Sequence, residues 1–333
     1  MSSGMKRFLV RRIITFTPTI FGVIFLSFII AYVLPADTAR AWAGGEKASP
    51  VTIERIKRQY HLDDPWYLQF AYLIKGVFTN SITDPITGNL IFEDLFRAFP
   101  VTVQLAIFGM FFTLLIGISL GILAALKRDT KLDTAVRIMS LIGVATPIFW
   151  LAYILIYVFF VMLGWISVLG VPSPSRVITN IPILDAIMLG EIDVVADMIK
   201  RYTLPGFLLG FLNGGVLARI VRNSFLDAIQ ADYIDYAKAR GLPKTWIWKH
   251  AFKNALVPII TVIGLSIGGL LTGAILTETV FGLPGIGRYS VRSIFGFDFP
   301  AIVCVTLLFG IVYVAVNLIV DIIYAVIDPR IRY

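Results

Sequence analysis

The sequence predicts an all-α protein: a polytopic membrane helical bundle of about six transmembrane helices, read as one domain over residues 1–333. Three observations carry this. Hydrophobic residues make up 58% of the chain and charged ones 15%, a balance no soluble domain of this length requires. Six apolar runs are long enough to cross a hydrocarbon core about 30 Å thick, which takes roughly 20 residues each, and none shows the period-two alternation of a membrane barrel. Lys and Arg collect in alternate connections, as the positive-inside rule demands.

The first run, near Phe8–Leu34, follows Lys6, Arg7, Arg11 and Arg12, which hold the N-terminus in the cytoplasm. This start also imitates a cleaved signal peptide ending at Ala41-Trp42-Ala43, but the apolar stretch is too long for a usual h-region and is read as a retained span. The extracytoplasmic segment 35–100 is not featureless. Ser49-Pro50 is an N-cap with proline at the first helical position, and Ile53, Ile56 and Tyr60 then recur at helical spacing. After a turn at Asp63-Asp64-Pro65, the residues Tyr67, Phe70, Ala71 and Ile74 give a second amphipathic helix. Both are expected on the bundle or in the membrane interface.

The second and third runs, near Val101–Leu126 and Thr134–Trp165, flank a short cytoplasmic turn bearing Lys127, Arg128 and Lys131. A second outer segment, 166–202, opens with Pro172, Ser173, Pro174 and Ser175 and continues with Asp185, Glu191, Asp193 and Asp197, acids that meet a partner or form a solvated face. The fourth run, near Leu204–Val221, is diluted by Asn213 and four glycines.

The cytoplasmic connection 223–254 is neither apolar nor turn-rich. It implies two short helices broken at Gly241-Leu242-Pro243. Ala231, Ile234 and Ala237 make a small apolar face on the first, and on pattern alone an interfacial helix shielding the bundle competes with a docking element.

The fifth run, near Leu256–Val280, carries Gly264, Gly268, Gly269 and Gly273 at small-xxx-small spacing, which serves close packing, a pore lining, or both. Glu278 follows; it orders the next Gly-Leu-Pro-Gly turn or pairs with Arg288 or Arg292. The sixth run, near Pro300–Val326, holds Asn317 and Asp321 one turn apart, as a hydrogen-bonded pair or as a substrate or proton contact, because an intramembrane carboxylate is costly. Arg330 and Arg332 place the C-terminus in the cytoplasm.

Several functions are excluded or disfavoured. The net charge of +8 lies where topology wants it, so it does not argue for nucleic acid. Cys304 is alone, and His61 and His250 fall on opposite sides of the membrane, so neither a disulfide nor a metal site is expected. Gly241-Leu-Pro-Lys-Thr245 lacks the second glycine of a phosphate-cradling loop, and no acid/base, nucleophile or metal constellation marks an enzyme.

Tyr236-Ala237-Lys238-Ala239-Arg240-Gly241, followed by Asn254-Ala255-Leu256-Val257-Pro258, resembles the coupling-helix signature of ABC importer permeases. Phe8-Leu9-Val10-Arg11-Arg12, Leu62-Asp63-Asp64-Pro65 with Gln69 and Phe70, Pro100-Val101-Thr102, Thr277-Glu278-Thr279-Val280-Phe281 with Gly282-Leu283-Pro284-Gly285-Ile286-Gly287, and the ending Asp328-Pro329-Arg330-Ile331-Arg332-Tyr333 resemble the B-type permease subunits of its dipeptide/oligopeptide branch. The resemblance covers nearly the whole chain and departs around Ile183–Lys200.

It implies the type I ABC importer permease fold in the plasma membrane, forming half of a pore for a di- or oligopeptide, an oligosaccharide or a nickel complex. It implies no cofactor on this chain, with ATP and Mg on two separate ATP-binding subunits, a homologous second permease and an external substrate-binding protein. Asp232, Tyr233, Tyr236, Ala237, Ala239, Gly241 and Leu242 are the expected ATPase-coupling residues. Gly264, Gly268, Gly269, Gly273, Glu278, Asn317 and Asp321 are the pore or gate candidates. A stand-alone ion-coupled carrier or channel is the rival, and the docking helix argues against it.

Overall fold

Fourteen α-helices follow one another among the residues described by the computed structural model, which are 3–33, 37–165 and 171–327. The terminal motif 328–333, with Arg330 and Arg332, lies outside them. The described residues fall into two compact units, those up to Val101 with Pro284–Val314, and those of Thr102–Leu283 with 315–327.

In the first unit, α1 (Ser3–Val33) presents Phe21, Phe25 and Phe28 to Phe70 of α4 (Trp66–Thr79), with ring centroids 6.0, 5.5 and 5.1 Å apart. Between them α2 (Thr38–Trp42) is capped by Asp37, and α3 (Pro50–Gln59) starts where Ser49 accepts the Thr52 N–H at 3.1 Å. Ala39, Trp42 and Ile56 join these two helices in a small core. The amphipathic pair read from the sequence is thus anchored by aromatic contacts.

α5 (Ile91–Leu126) begins ten residues before the expected span, with Glu93 and Asp94 favourably placed in its first turn. Pro100 lies inside the helix instead of opening it. The early start is stabilised because Ile91, Leu95 and Ala98 bury against Ile286 and Tyr289 of α13 (Ile286–Phe295) and against Ala301, Cys304 and Val305 of α14 (Phe299–Ile327).

In the second unit, the expected straight third span is instead two helices, α6 (Lys131–Ala145) and α7 (Ile148–Ile156), the latter continuing as a π-helical stretch, Tyr157–Met162. They are bent by 102°. Pro147 is the cause: it donates no N–H and drives Thr146 into an extended conformation, φ −83° and ψ 126°.

The hub is α9 (Ile192–Ile229), packed against α6, α7, α8 (Pro182–Leu189), α11 (Lys244–Gly273) and α12 (Ile275–Phe281). A short α10 (Asp232–Ala239) joins it to α11. The glycines that weakened α9 as an apolar run are its contact seam. A Cβ at Gly206 would stand 2.6 Å from the Phe108 Cβ, and one at Gly210 would collide with the Phe112 Cβ. In return, Gly117 and Gly121 of α5 admit Leu217 and Val221, with a Cβ at either position 2.6 Å from those side chains. Small residues let the two helices approach closely, which is how membrane helices gain packing energy without water to expel.

Among the described residues α5, α9, α11 and α14 are long and apolar enough to cross a membrane. The bent pair α6–α7 makes a fifth if counted as one span, and α1 contributes an apolar stretch over Ile14–Ile30.

Candidate functional site

The α9–α11 connection is built as an inward anchor with an outward face. Ala231, extended at ψ 148°, precedes α10, and Arg240, Gly241, Leu242 and Pro243 follow it. Gly241 sits at φ +73°, a conformation that costs other residues roughly 1–2 kcal/mol, and nothing lies within 4 Å of where its Cβ would be. The turn closes through Gly241 N–H to the Lys238 carbonyl at 2.9 Å and Leu242 N–H to the Ala237 carbonyl at 3.2 Å.

Ile234 and Ala237 are buried with Val221, Phe225 and Ala228 of α9 and with Ile247, Ala251 and Ala255 of α11. Asp232, Tyr233, Tyr236, Ala239, Gly241 and Leu242 are exposed, Tyr236 by 66%. Of the seven predicted coupling residues, Ala237 is therefore an anchor and the other six form a surface. Trp246, on the first turn of α11, extends the exposed aromatic set, and Arg240 lies 5.7 Å from the Tyr236 ring centroid. Nothing in the sequence reading singles out Trp246; a tryptophan three residues after the Gly-Leu-Pro break is the available clue.

Beside this connection lies an ion pair that pattern reasoning missed. Asp133, fully buried in the first turn of α6, accepts from both Nε and Nη2 of Arg222 on α9 and from the Asp129 N–H at 3.1 Å. The pair is 89 residues apart in sequence, so nothing local reveals it.

At the other end of α9, Glu278 on α12 is fully buried and accepts the Thr102 hydroxyl at 2.7 Å. Arg201 donates to the Phe281 carbonyl, and Gln104 Oε1 accepts the Ile183 N–H at 3.2 Å. Gln104 Nε2, the Tyr202 hydroxyl and the Thr277 hydroxyl are buried with no partner among the described residues. The turn after α12 is closed through the Glu278 backbone carbonyl, which takes the Leu283 N–H at 2.8 Å. Of the two arginines considered for Glu278, Arg292 pairs with Asp84.

The four α11 glycines divide by environment. Gly264 abuts Val320 of α14 with no room for a Cβ, and Gly268 is buried, its carbonyl taking the Thr272 hydroxyl at 2.8 Å. Gly269 has open space beside it and lines a cavity of about 290 Å³ with Ile148, Leu209, Asn213 and Leu270; Gly273 ends the helix. Asn317 and Asp321 are partly buried on α14. No group of three or more His, Cys, Asp or Glu stands where it would hold a metal ion, among the described residues.

In the segment 171–202, Asp185 is buried instead of solvated. It accepts from the Ile178 and Thr179 backbone N–H groups and the Thr179 hydroxyl. Burial pushes its pKa up, but these hydrogen bonds outweigh that and leave it below the usual carboxylate value. Asp193 and Asp197 are exposed, and Glu191 holds the Ser175 N–H and hydroxyl.

Residues 117–333 match the family described as binding-protein-dependent transport system inner membrane component, and residues 5–106 match the N-terminal region of such membrane components. The chain is 36% identical over 99% of its length, and 100% of the relative's, to the dipeptide transport system permease protein DppB of Alkalihalophilus pseudofirmus. It is 40% identical to the probable D,D-dipeptide transport system permease protein DdpB of Escherichia coli, over 93% of each chain. To the glutathione transport system permease protein GsiC of E. coli it is 34% identical, over 99% of this chain and 100% of the relative.

Proposed function

The chain belongs to the family of inner-membrane components of binding-protein-dependent transport systems, and from that membership we propose that it forms half of the pore of an ATP-driven importer whose cargo is a short peptide. It is a multi-pass permease subunit, not an enzyme. The relatives' names speak of dipeptide, D,D-dipeptide and glutathione, which favours peptide over oligosaccharide or nickel complex. The other half is a homologous permease; two ATP-binding subunits, carrying ATP and Mg, sit on the cytoplasmic face, and an external binding protein delivers the substrate. The positive-inside distribution supports cytoplasmic N- and C-termini.

The observation that carries the coupling role is the two-sided α10. Its inward residues Ile234 and Ala237 tie it to α9 and α11, while Tyr233, Tyr236, Ala239, Gly241 and Leu242 stay open for a groove on an ATPase. A push on α10 then moves α9, whose 38 residues reach about 57 Å at 1.5 Å each. The far end of α9 holds Arg201 and Tyr202 beside α12, where Glu278 and Thr102 close a buried polar contact. Closure of the ATPase pair in this way opens one end of the pathway and shuts the other. Gly264 and Gly268 give α11 a seam without bulky side chains, and Gly269, Gly273, Asn317 and Asp321 are the remaining candidates for the pathway wall.

The test is the reconstituted complex carrying Tyr236→Ala or Gly241→Val. Peptide-stimulated ATP hydrolysis and uptake are expected to fall together at least fivefold while the subunits still co-purify; unchanged coupling overturns the assignment. An ion-coupled carrier is distinguished by uptake that collapses with the ion gradient and survives ATP depletion.

A further inference from the structure

A cavity of about 570 Å³ lies wholly within the first unit and has no part in the coupling path. That volume suits a small-molecule site, which typically spans roughly 300–1,000 Å³. Its wall is aromatic: Trp42 and Tyr60 meet edge to face at 5.1 Å, and His61 stacks on Tyr72 at 4.0 Å. Its floor is apolar, from Phe28, Leu73, Phe299, Pro300 and Val303.

The wall is held in place before any ligand arrives. Gln69 donates to the Leu62 and Asp64 carbonyls at 3.0 and 2.8 Å, and Trp42 Nε1 donates to the Phe297 carbonyl at 3.0 Å. His61 is held at φ +55°, a left-handed conformation that persists only where the surroundings enforce it. Such preorganisation lowers the entropy cost of binding.

The charge pattern selects the ligand. Lys57 and Asp63 both line the cavity and pair at 3.2 Å, with side-chain exposures of 35% and 64%. A pair this exposed is worth roughly 0.2–1 kcal/mol and is easily exchanged for ligand contacts. Asp37 adds a second carboxylate to the lining. Asp37 is already paired with Arg40 at 3.2 Å, so Lys57 and Asp63 are the charges left to exchange: a phosphate would leave Asp63 facing it, and a lone cation would leave Lys57 facing it. A ligand bearing both an ammonium and a carboxylate matches both partners, and its apolar side chain covers the rings.

We propose that this cavity binds a short zwitterionic peptide, with Lys57 taking the C-terminal carboxylate, Asp63 the N-terminal ammonium, and Trp42, Tyr60 and Tyr72 the side chain. It rests on the peptide-importer reading above and gives that importer a peptide site on the permease itself, on the extracytoplasmic side.

The test titrates the complete complex in lipid nanodiscs, without the external binding protein, by calorimetry. The probes are L-alanyl-L-phenylalanine, its N-acetylated and C-amidated form, and glycerophosphoethanolamine. Saturable binding of the free dipeptide is expected, weakened at least tenfold by blocking its termini and at least tenfold by Lys57→Met or Asp63→Asn. Gel filtration checks the fold of each variant, and the isosteric Asp63→Asn decides if Lys57→Met does not fold. No dipeptide binding, equal binding of free and blocked forms, unaltered binding in the variants, or tighter binding of glycerophosphoethanolamine overturns the proposal. Peptide uptake by the wild-type complex with its binding protein reads the importer assignment separately: uptake without binding at this cavity overturns the cavity alone, and no uptake of any peptide overturns the importer.

Discussion

Asp133 and Arg222 show what a single buried contact does in this chain. The carboxylate is fully buried and takes two guanidinium hydrogen bonds; without Arg222 it keeps only the Asp129 N–H and the more distant Arg137 at 3.7 Å, a loss of up to about 3–5 kcal/mol. Arg222→Ala is expected to lower the unfolding midpoint in detergent strongly and Arg222→Lys less, because lysine keeps the charge but loses the fork; the double variant with Asp133→Asn should recover much of the loss. Asp298 behaves in the opposite sense. Burial raises its pKa to about 7, aided by nearby Asp84 and opposed by the Ala301 N–H it accepts. The folded state then holds the proton more tightly than the unfolded chain, so this contribution is full below about pH 4 and lost as pH rises to about 7. Asp298→Asn keeps the cap on α14 and should flatten thermal stability over that range; an unchanged pH profile counts against the buried acid.

The α5–α9 seam sets the behaviour of the two longest helices. Gly206 and Gly210 lie under Phe108 and Phe112, and Gly117 and Gly121 receive Leu217 and Val221. Gly210→Leu forces the helices apart and should cost about 1–3 kcal/mol or more, visible as lost folded protein after solubilisation. Gly269→Leu, pointing to open space, should fold normally, and the pair of variants separates packing from chain flexibility. At Gly241 the space is also open, but φ +73° makes Gly241→Ala cost roughly 1–2 kcal/mol, confined to the α10–α11 turn and measurable as faster amide exchange there.

For the whole molecule, a push on α10 should be felt at Glu278, so Tyr236→Ala and Glu278→Gln in one complex should reduce ATP-coupled uptake by less than the product of their separate effects if both act on the same motion of α9. Much of this device was legible in the chain: apolar runs, cytoplasmic Lys and Arg, the Gly-Leu-Pro break and the α10 motif are local patterns, set by helix period, desolvation cost and turn chemistry. The sequence also marked Gly264 and Gly268 for close packing and Glu278 as a residue of interest. It placed a span at α9 but read the glycines there only as dilution, although glycines that weaken hydropathy are what tight packing needs, and it passed over Pro147, whose steric demand breaks the third run by 102°. The Asp133–Arg222 pair, the burial of Asp185, the inward turn of Ala237 and the aromatic cavity around Trp42 and Tyr72 were decided only by tertiary structure. Apart from Asp185, whose hydrogen-bond donors lie six and seven residues away, each depends on residues far apart in sequence coming together, and the desolvation and packing terms that fix them exist only once the chain has folded.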